Sequence, residues 1–193
     1  MSLSKEVLGS MLEKHLERSP QYKNVFEVIK RNSLRPRWLI GGAVYRPLVQ
    51  MLYRHGELTS DYDFIVRQRI DPLYYYTPTA YELKYSRVGS PRWQKGDLTI
   101  DIVQECDLHT CHRLGIEPCV RNFIDHTPLT IQSMVYDLEH KVLEGDVGIQ
   151  ALQNKTVAVL DRGEAEYHAG LHGWTVEEYV QDKARSLGFK AIL

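Results

Sequence analysis

The sequence predicts an α/β fold of the α+β kind, a small mixed β-sheet with flanking helices. Three observations predict it. Two amphipathic stretches of helical period open the chain. After Arg37 the pattern changes to short apolar segments that alternate as strands do. A glycine pair, Gly41-Gly42, stands between the first of these segments and the next helical stretch. The 193 residues divide into an N-terminal helical appendage over 1–35, a central sheet domain over 36–160 and a C-terminal helical extension over 161–193.

The elements follow in chain order. Residues 4–18 carry Val7, Leu8, Met11, Leu12 and Leu16 at helical spacing, with Ser4 placed as the cap. Residues 21–32 repeat the pattern through Tyr22, Val25, Phe26, Val28 and Ile29, until Asn32-Ser33 and Pro36 break it. Trp38-Leu39-Ile40 is a short strand. A helix follows over about 44–55, with Leu48, Met51 and Leu52 on one side and Gly56 at its end. Pro47 disfavours a helical Arg46, so a later start with Pro47 in the first turn is expected. Residues 61–66 form the next strand and 67–80 a loop bent at Pro72 and Pro78. In that loop Tyr74-Tyr75-Tyr76 read as packing residues or an anchored loop rather than a stacking surface for bases, because aromatics mostly bury. Residues 82–88 and 98–104 read as two strands joined by a hairpin region containing Gly and Pro. Beyond them come a short polar helix after Asp107, two short strands around a turn in 134–143, and a helix over 146–153. A strand over 156–160, a linker over 161–174 and a last helix over 175–187 complete the chain.

Composition narrows the functional class. Hydrophobic content is 43% and charged content 25%, enough for a core and a soluble surface. The net charge of −1 argues against a generally basic nucleic-acid coat, though not against a local basic groove. No apolar run is long enough to cross a bilayer, and the N-terminus lacks the apolar stretch of a secretion signal. Three cysteines do not make a disulfide framework, which suits a reducing cytoplasm.

The chemistry-bearing residues are acids and glycines. Asp61 and Asp63 lie two apart on a strand, so their carboxylates share a face, with Tyr62 and Phe64 on the other. Two close carboxylates repel unless a cation lies between them. Hard oxygen ligands of this kind suit Mg²⁺, which also takes substrate phosphates. Asp101 is a third acid, set among β-branched apolar residues where its desolvation must be offset. Were its strand beside that of Asp61, three carboxylates could hold two metal ions. One would activate an attacking hydroxyl and the other would steady a departing pyrophosphate. Gly41-Gly42 lets backbone amides approach a phosphate, and the helix start behind it favours anions.

The run from Trp38 to Leu48, with Asp61-Tyr62-Asp63 behind it, resembles the signature of polymerase-β-like nucleotidyltransferases. It is most similar to the head domain of bacterial-type tRNA CCA-adding enzymes and poly(A) polymerases. The run from Leu129 to Leu143 is similar to their second motif, so the resemblance covers about residues 36–160. It implies a metal-dependent nucleotidyltransferase that moves a nucleoside monophosphate from a nucleoside triphosphate to a hydroxyl and releases pyrophosphate. Asp61, Asp63 and Asp101 would be its catalytic, metal-binding acids, with Mg²⁺ or Mn²⁺ as cofactor. Gly41, Gly42, Arg46, Thr130 and Gln132 would be its nucleotide-binding residues. The acceptor stays open among an RNA 3′ end, a protein and a small molecule.

The chain departs from the pattern in several places. Arg46 is displaced by one position, His126-Thr127-Pro128 stand where the family has paired arginines and an acid, and Gln132 replaces an asparagine. These departures support the alternative of a nucleotide-binding pseudoenzyme or regulatory module. The chain has no room for the family's base-selecting and RNA-binding helical domains, so a partner chain could supply acceptor binding. A metal-dependent phosphotransferase or nuclease could carry similar acids, though a nuclease needs no triphosphate cradle. Lys84, Arg87, Arg92 and Lys95 line either a phosphate or RNA groove or a solvated face. Cys106, His109, Cys111, His112 and Cys119 match no zinc-site spacing and read as incidental thiols on a polar helix. Arg185, with Lys183 before it, sits where the family has an arginine-bearing helix, and His168 and His172 read as surface histidines.

Overall fold

The computed structural model describes residues 3–86 and 89–193. Arg87 and Val88, the end of the strand expected over 82–88, lie outside the described residues, as does the Met1-Ser2 start. Helix α1 (Lys5–Arg18) is capped by the Ser4 hydroxyl, which accepts from the Val7 N–H. Helix α2 (Pro20–Asn32) has proline at its first position, where a missing N–H costs no helical bond. Strand β1 (Ser33–Ile40) then enters the sheet and is longer than the apolar triplet suggested.

Helix α3 (Gly42–Tyr53) starts directly after Gly41 and carries Pro47 inside it. The expected later start is therefore corrected. Ala43, Val44, Tyr45, Leu48 and Val49 are all buried, and that packing outweighs the one hydrogen bond that proline removes. The helix ends at a left-handed Arg54, two residues before the expected Gly56.

Strands β2 (Asp61–Arg69), β3 (Glu82–Tyr85), β4 (Pro91–Lys95) and β5 (Leu98–Gln104) follow. Strand β4 is a correction. Its residues were expected to be a connection, but Trp93 is fully buried and pulls the segment into the sheet. The rest comprises α4 (His109–Leu114), α5 (Val120–Asp125), β6 (Val135–Asp137), β7 (Val142–Glu144), α6 (Asp146–Asn154) and β8 (Thr156–Ala158). Helices α7 (Arg162–Leu171) and α8 (Val176–Leu187) and strand β9 (Lys190–Ile192) close the chain. Helix α7 occupies the segment expected to be a linker. It buries Glu164, Ala165 and Ala169 and is capped by Asp161, which accepts from the Glu164 N–H.

Among the described residues seven strands form a mixed sheet in the order β3-β4-β5-β2-β1-β6-β7, and β8 pairs with β9 in a separate parallel ribbon. Among the described residues, only β2 and β5 run parallel within the large sheet. One face carries Leu39, Phe64, Val66, Ile100 and Ile102 into the main core, which α1, α2 and α3 cover with Leu8, Leu12, Val25, Ile29, Val44 and Leu48. The other face holds a smaller cluster of Ile40, Ile65 and Val135 beneath Cys111 of α4 and Val120 and Ile124 of α5. The two short helices α4 and α5 cover part of this second face. The uncovered part of that face carries the acids.

Candidate active site

Alternation along β2 puts Tyr62 and Phe64 in the core and Asp61 and Asp63 on the opposite face. Parallel pairing sets Asp61 beside Thr99 and Asp63 beside Asp101. The Thr99 hydroxyl donates to Asp61 Oδ1 at 2.6 Å, and the Asp61 N–H donates to the Thr59 hydroxyl at 3.0 Å. The three acids expected from the sequence therefore lie on adjacent strands, at one end of one face.

Their electrostatics differ. Asp63 is half-buried, and its carboxyl is pushed up to about 7, first by burial and then by the Asp101 and Asp61 charges. Asp101 is only 8% exposed and pairs with Arg92 from β4. The Arg92 Nε donates to Oδ1 at 2.8 Å and an Nη donates to Oδ2 at 2.6 Å, a planar two-pronged pair. Arg92 pairs with Asp101 and its charge also pulls Asp63 down, but among the described residues no ion pair reaches Asp61 or Asp63. Among the described residues no three His, Cys, Asp or Glu side chains gather into a metal cage, those between Cys106 and Cys119 included. The donor set that fits Mg²⁺ or Mn²⁺ is thus the Asp61–Asp63 pair. It offers hard oxygens, and beyond burial, which is the main cause, the part of the Asp63 shift that comes from the Asp101 and Asp61 charges is what a cation would relieve.

Gly41 joins the acids to the helix. Its φ of 69° and ψ of −148° belong to glycine, and a Cβ there would stand 3.2 Å from Asp63 Oδ2. Ile40 lies opposite Asp63 across β1 and β2, so the start of α3 opens beside the carboxylates. The Arg46 side chain runs back towards that start, since a Cβ on Gly42 would meet its Cδ and Nε at 3.5 Å. Its Nη1 donates to the Glu57 carbonyl at 3.1 Å.

Thr130 and Gln132 form a 3₁₀ turn just ahead of β6, at the same end of the sheet as Gly41. The Thr130 hydroxyl accepts from the Ala158 N–H at 3.1 Å. Gln132 lies beside Tyr179 of α8, and its Oε1 is buried with no hydrogen-bond partner among the described residues.

The remaining candidates sit elsewhere or have structural partners. Lys84 is tied to Glu82 and Gln94, and Lys95 lies over the Tyr81 ring. Cys111 is buried in the smaller cluster, Cys119 caps α5 and Cys106 is exposed. Arg185 is exposed on α8. His172 is exposed and stacks on Trp174, whereas His168 is half-buried and stacks on Tyr179, so its reading as a surface residue is corrected. Tyr75 packs edge-on against Trp93 and the Tyr76 N–H donates to Asn32, which anchors the loop and leaves Tyr74 exposed.

Sequence reasoning missed the partnership of Arg92 with Asp101. The signal was present in Gly96-Asp97, a two-residue hairpin turn that sets Arg92 opposite Asp101 by register alone.

No protein-family model matches the chain, and no curated protein matches it. Solved structures do. A CCA-adding enzyme solved with CTP aligns with a TM-score of 0.65 at 15% identity, over 96% of this chain and 43% of its own. The Thermotoga maritima CCA-adding enzyme complexed with tRNA aligns at 0.60 and 16% identity, over 94% and 42%. The Bacillus stearothermophilus enzyme in complex with CTP aligns at 0.53 and 14%, over 90% and 41%. The chain thus spans less than half the length of the solved structures it matches. Sheet order, helical layer and these alignments agree: the chain has the polymerase-β-like nucleotidyltransferase fold, as found in the head region of CCA-adding enzymes.

Proposed function

We propose that this protein is a metal-dependent nucleotidyltransferase acting on a nucleoside triphosphate. The observation that carries the reading is the closeness of the Gly41 backbone to Asp63, where an added Cβ would lie 3.2 Å from the carboxylate. It sets a glycine turn and a helix start against a pair of carboxylates with no ion-pair partner among the described residues, where a triphosphate and its cation would meet. Solved structures of the same fold hold CTP, ATP and tRNA, which supports a triphosphate and an RNA acceptor here.

Asp61 and Asp63 would hold Mg²⁺ or Mn²⁺, which when bound neutralises phosphate charge. The amides after Gly41 and the Arg46 guanidinium would orient the triphosphate. The acceptor oxygen attacks the α-phosphorus, the bond to the β-phosphate breaks and pyrophosphate leaves. Asp101 has both oxygens engaged by Arg92, so the hydroxyl proton passes to water at the exposed Asp61 end. The unpartnered Gln132 Oε1 would accept from an amino or hydroxyl group of the nucleotide, because a buried acceptor left unmatched is costly. Catalysis is then positioning and charge neutralisation. Three free thiols suit a reducing cytoplasm.

The test is pyrophosphate release from each ribonucleoside triphosphate with Mg²⁺ or Mn²⁺ and bulk cellular RNA. Release by the native chain that Asp61→Ala/Asp63→Ala lowers by about a hundredfold or more is the expected result. Release that survives the double substitution refutes the site.

A further inference from the structure

We propose that Arg92 is a positioning residue of this site, holding Asp101 out of the metal-binding pair and setting the charge that a cation meets. The inference rests on Asp61 and Asp63 being that pair.

The geometry is specific. The two-residue turn at Gly96-Asp97 locks β4 against β5 with Arg92 directly opposite Asp101, and β5 against β2 sets Asp101 directly opposite Asp63. One row across the sheet therefore reads Asp63, Asp101, Arg92, Lys84. Lys84 is turned to Glu82 and Gln94, so within this row Arg92 is the cation that reaches the acids. Its fork takes both Asp101 oxygens at 2.8 and 2.6 Å, which a lysine could not do with one point charge. Asp101 is nearly sealed from solvent, and its charge is compensated from the protein side. A cation at Asp61 and Asp63 would then meet those two carboxylates beside an Asp101 charge that Arg92 partly offsets, rather than three uncompensated carboxylates. The arrangement would lower the negative charge that draws a cation to Asp61 and Asp63.

The experiment is calorimetric titration of the full chain with Mn²⁺ alone, alongside unfolding midpoints for each variant. Arg92→Gln exposes the Asp101 charge and is expected to tighten Mn²⁺ binding about three- to tenfold. Arg92→Lys keeps the charge and stays within about twofold of the native chain. Arg92→Gln/Asp101→Asn removes both members of a neutral pair and also stays within about twofold. This double variant carries the test even if Arg92→Gln alone fails to fold. Unchanged or weaker binding by Arg92→Gln overturns the inference, since a merely structural arginine would lower the unfolding midpoint without moving the Mn²⁺ affinity. A double variant that binds about tenfold more weakly also overturns it, because Asp101 would then be a ligand itself. Native Mn²⁺ binding that ignores Asp61→Asn/Asp63→Asn defeats the metal reading and this inference together. Binding that needs both aspartates but does not respond to Arg92→Gln defeats the inference alone.

Discussion

At the residue scale, position 41 has the narrowest tolerance. The chain must turn from β1 into α3 within one residue, and it does so with a positive φ that a side chain resists. A methyl group there would also press on the Asp63 carboxylate at 3.2 Å. Gly41→Ala is expected to cost about 1–3 kcal/mol in urea unfolding. It should also weaken Mn²⁺ binding, since the strain lands on a proposed ligand. Full stability with unchanged Mn²⁺ affinity would remove Gly41 from the site. Asp61, Asp63 and Gly41 were all legible, because strand alternation and glycine's backbone freedom are local properties. The state of Asp101 was not, because its partner arrives from another strand and no local pattern shows what a carboxylate touches.

At the scale of elements, the 3₁₀ turn over Thr130–Gln132 depends on its neighbours for position. Helix α6 packs closely against it, and a Cβ on Gly148 would stand 2.5 Å from the Ser133 carbonyl oxygen. Gly148→Ala is therefore expected to push α6 off the turn at about 1–3 kcal/mol. Because Gln132 moves with the turn, nucleoside triphosphate affinity should fall as well, measured by equilibrium binding. Loss of stability with nucleotide affinity intact would separate Gln132 from recognition. The sequence reading lacked β4, α5 and β9 and took α7 for a linker, and of these β4 and α7 share a cause. Pro91 and Gly89 read as a connection before Trp93 was seen to bury, and Gly163, Gly170 and Gly173 masked the helical spacing of Glu164, Ala165 and Ala169. Tertiary burial outweighed local propensity in both.

At the scale of the whole molecule, α1 and α2 are less an appendage than one wall of the core. Leu8, Leu12, Val25, Val28 and Ile29 have no exposed surface and share a cluster with Phe64 and Ile100 of the sheet. Deleting residues 3–32 is expected to abolish cooperative thermal unfolding, followed by circular dichroism. A truncated chain that still melts cooperatively would make the helices separable. Among the described residues no helix is long and apolar enough to cross a membrane. The sequence alone determined the order of most elements, the face shared by Asp61 and Asp63, and the glycine turn ahead of α3, because each follows from spacing along one segment. The tertiary structure decided the rest. Strand order set Asp101 beside Asp63, hairpin register set Arg92 on Asp101, and burial drew the outer helices into one core. These are contacts between segments distant in the chain, and their energies depend on what each side chain meets once water is excluded.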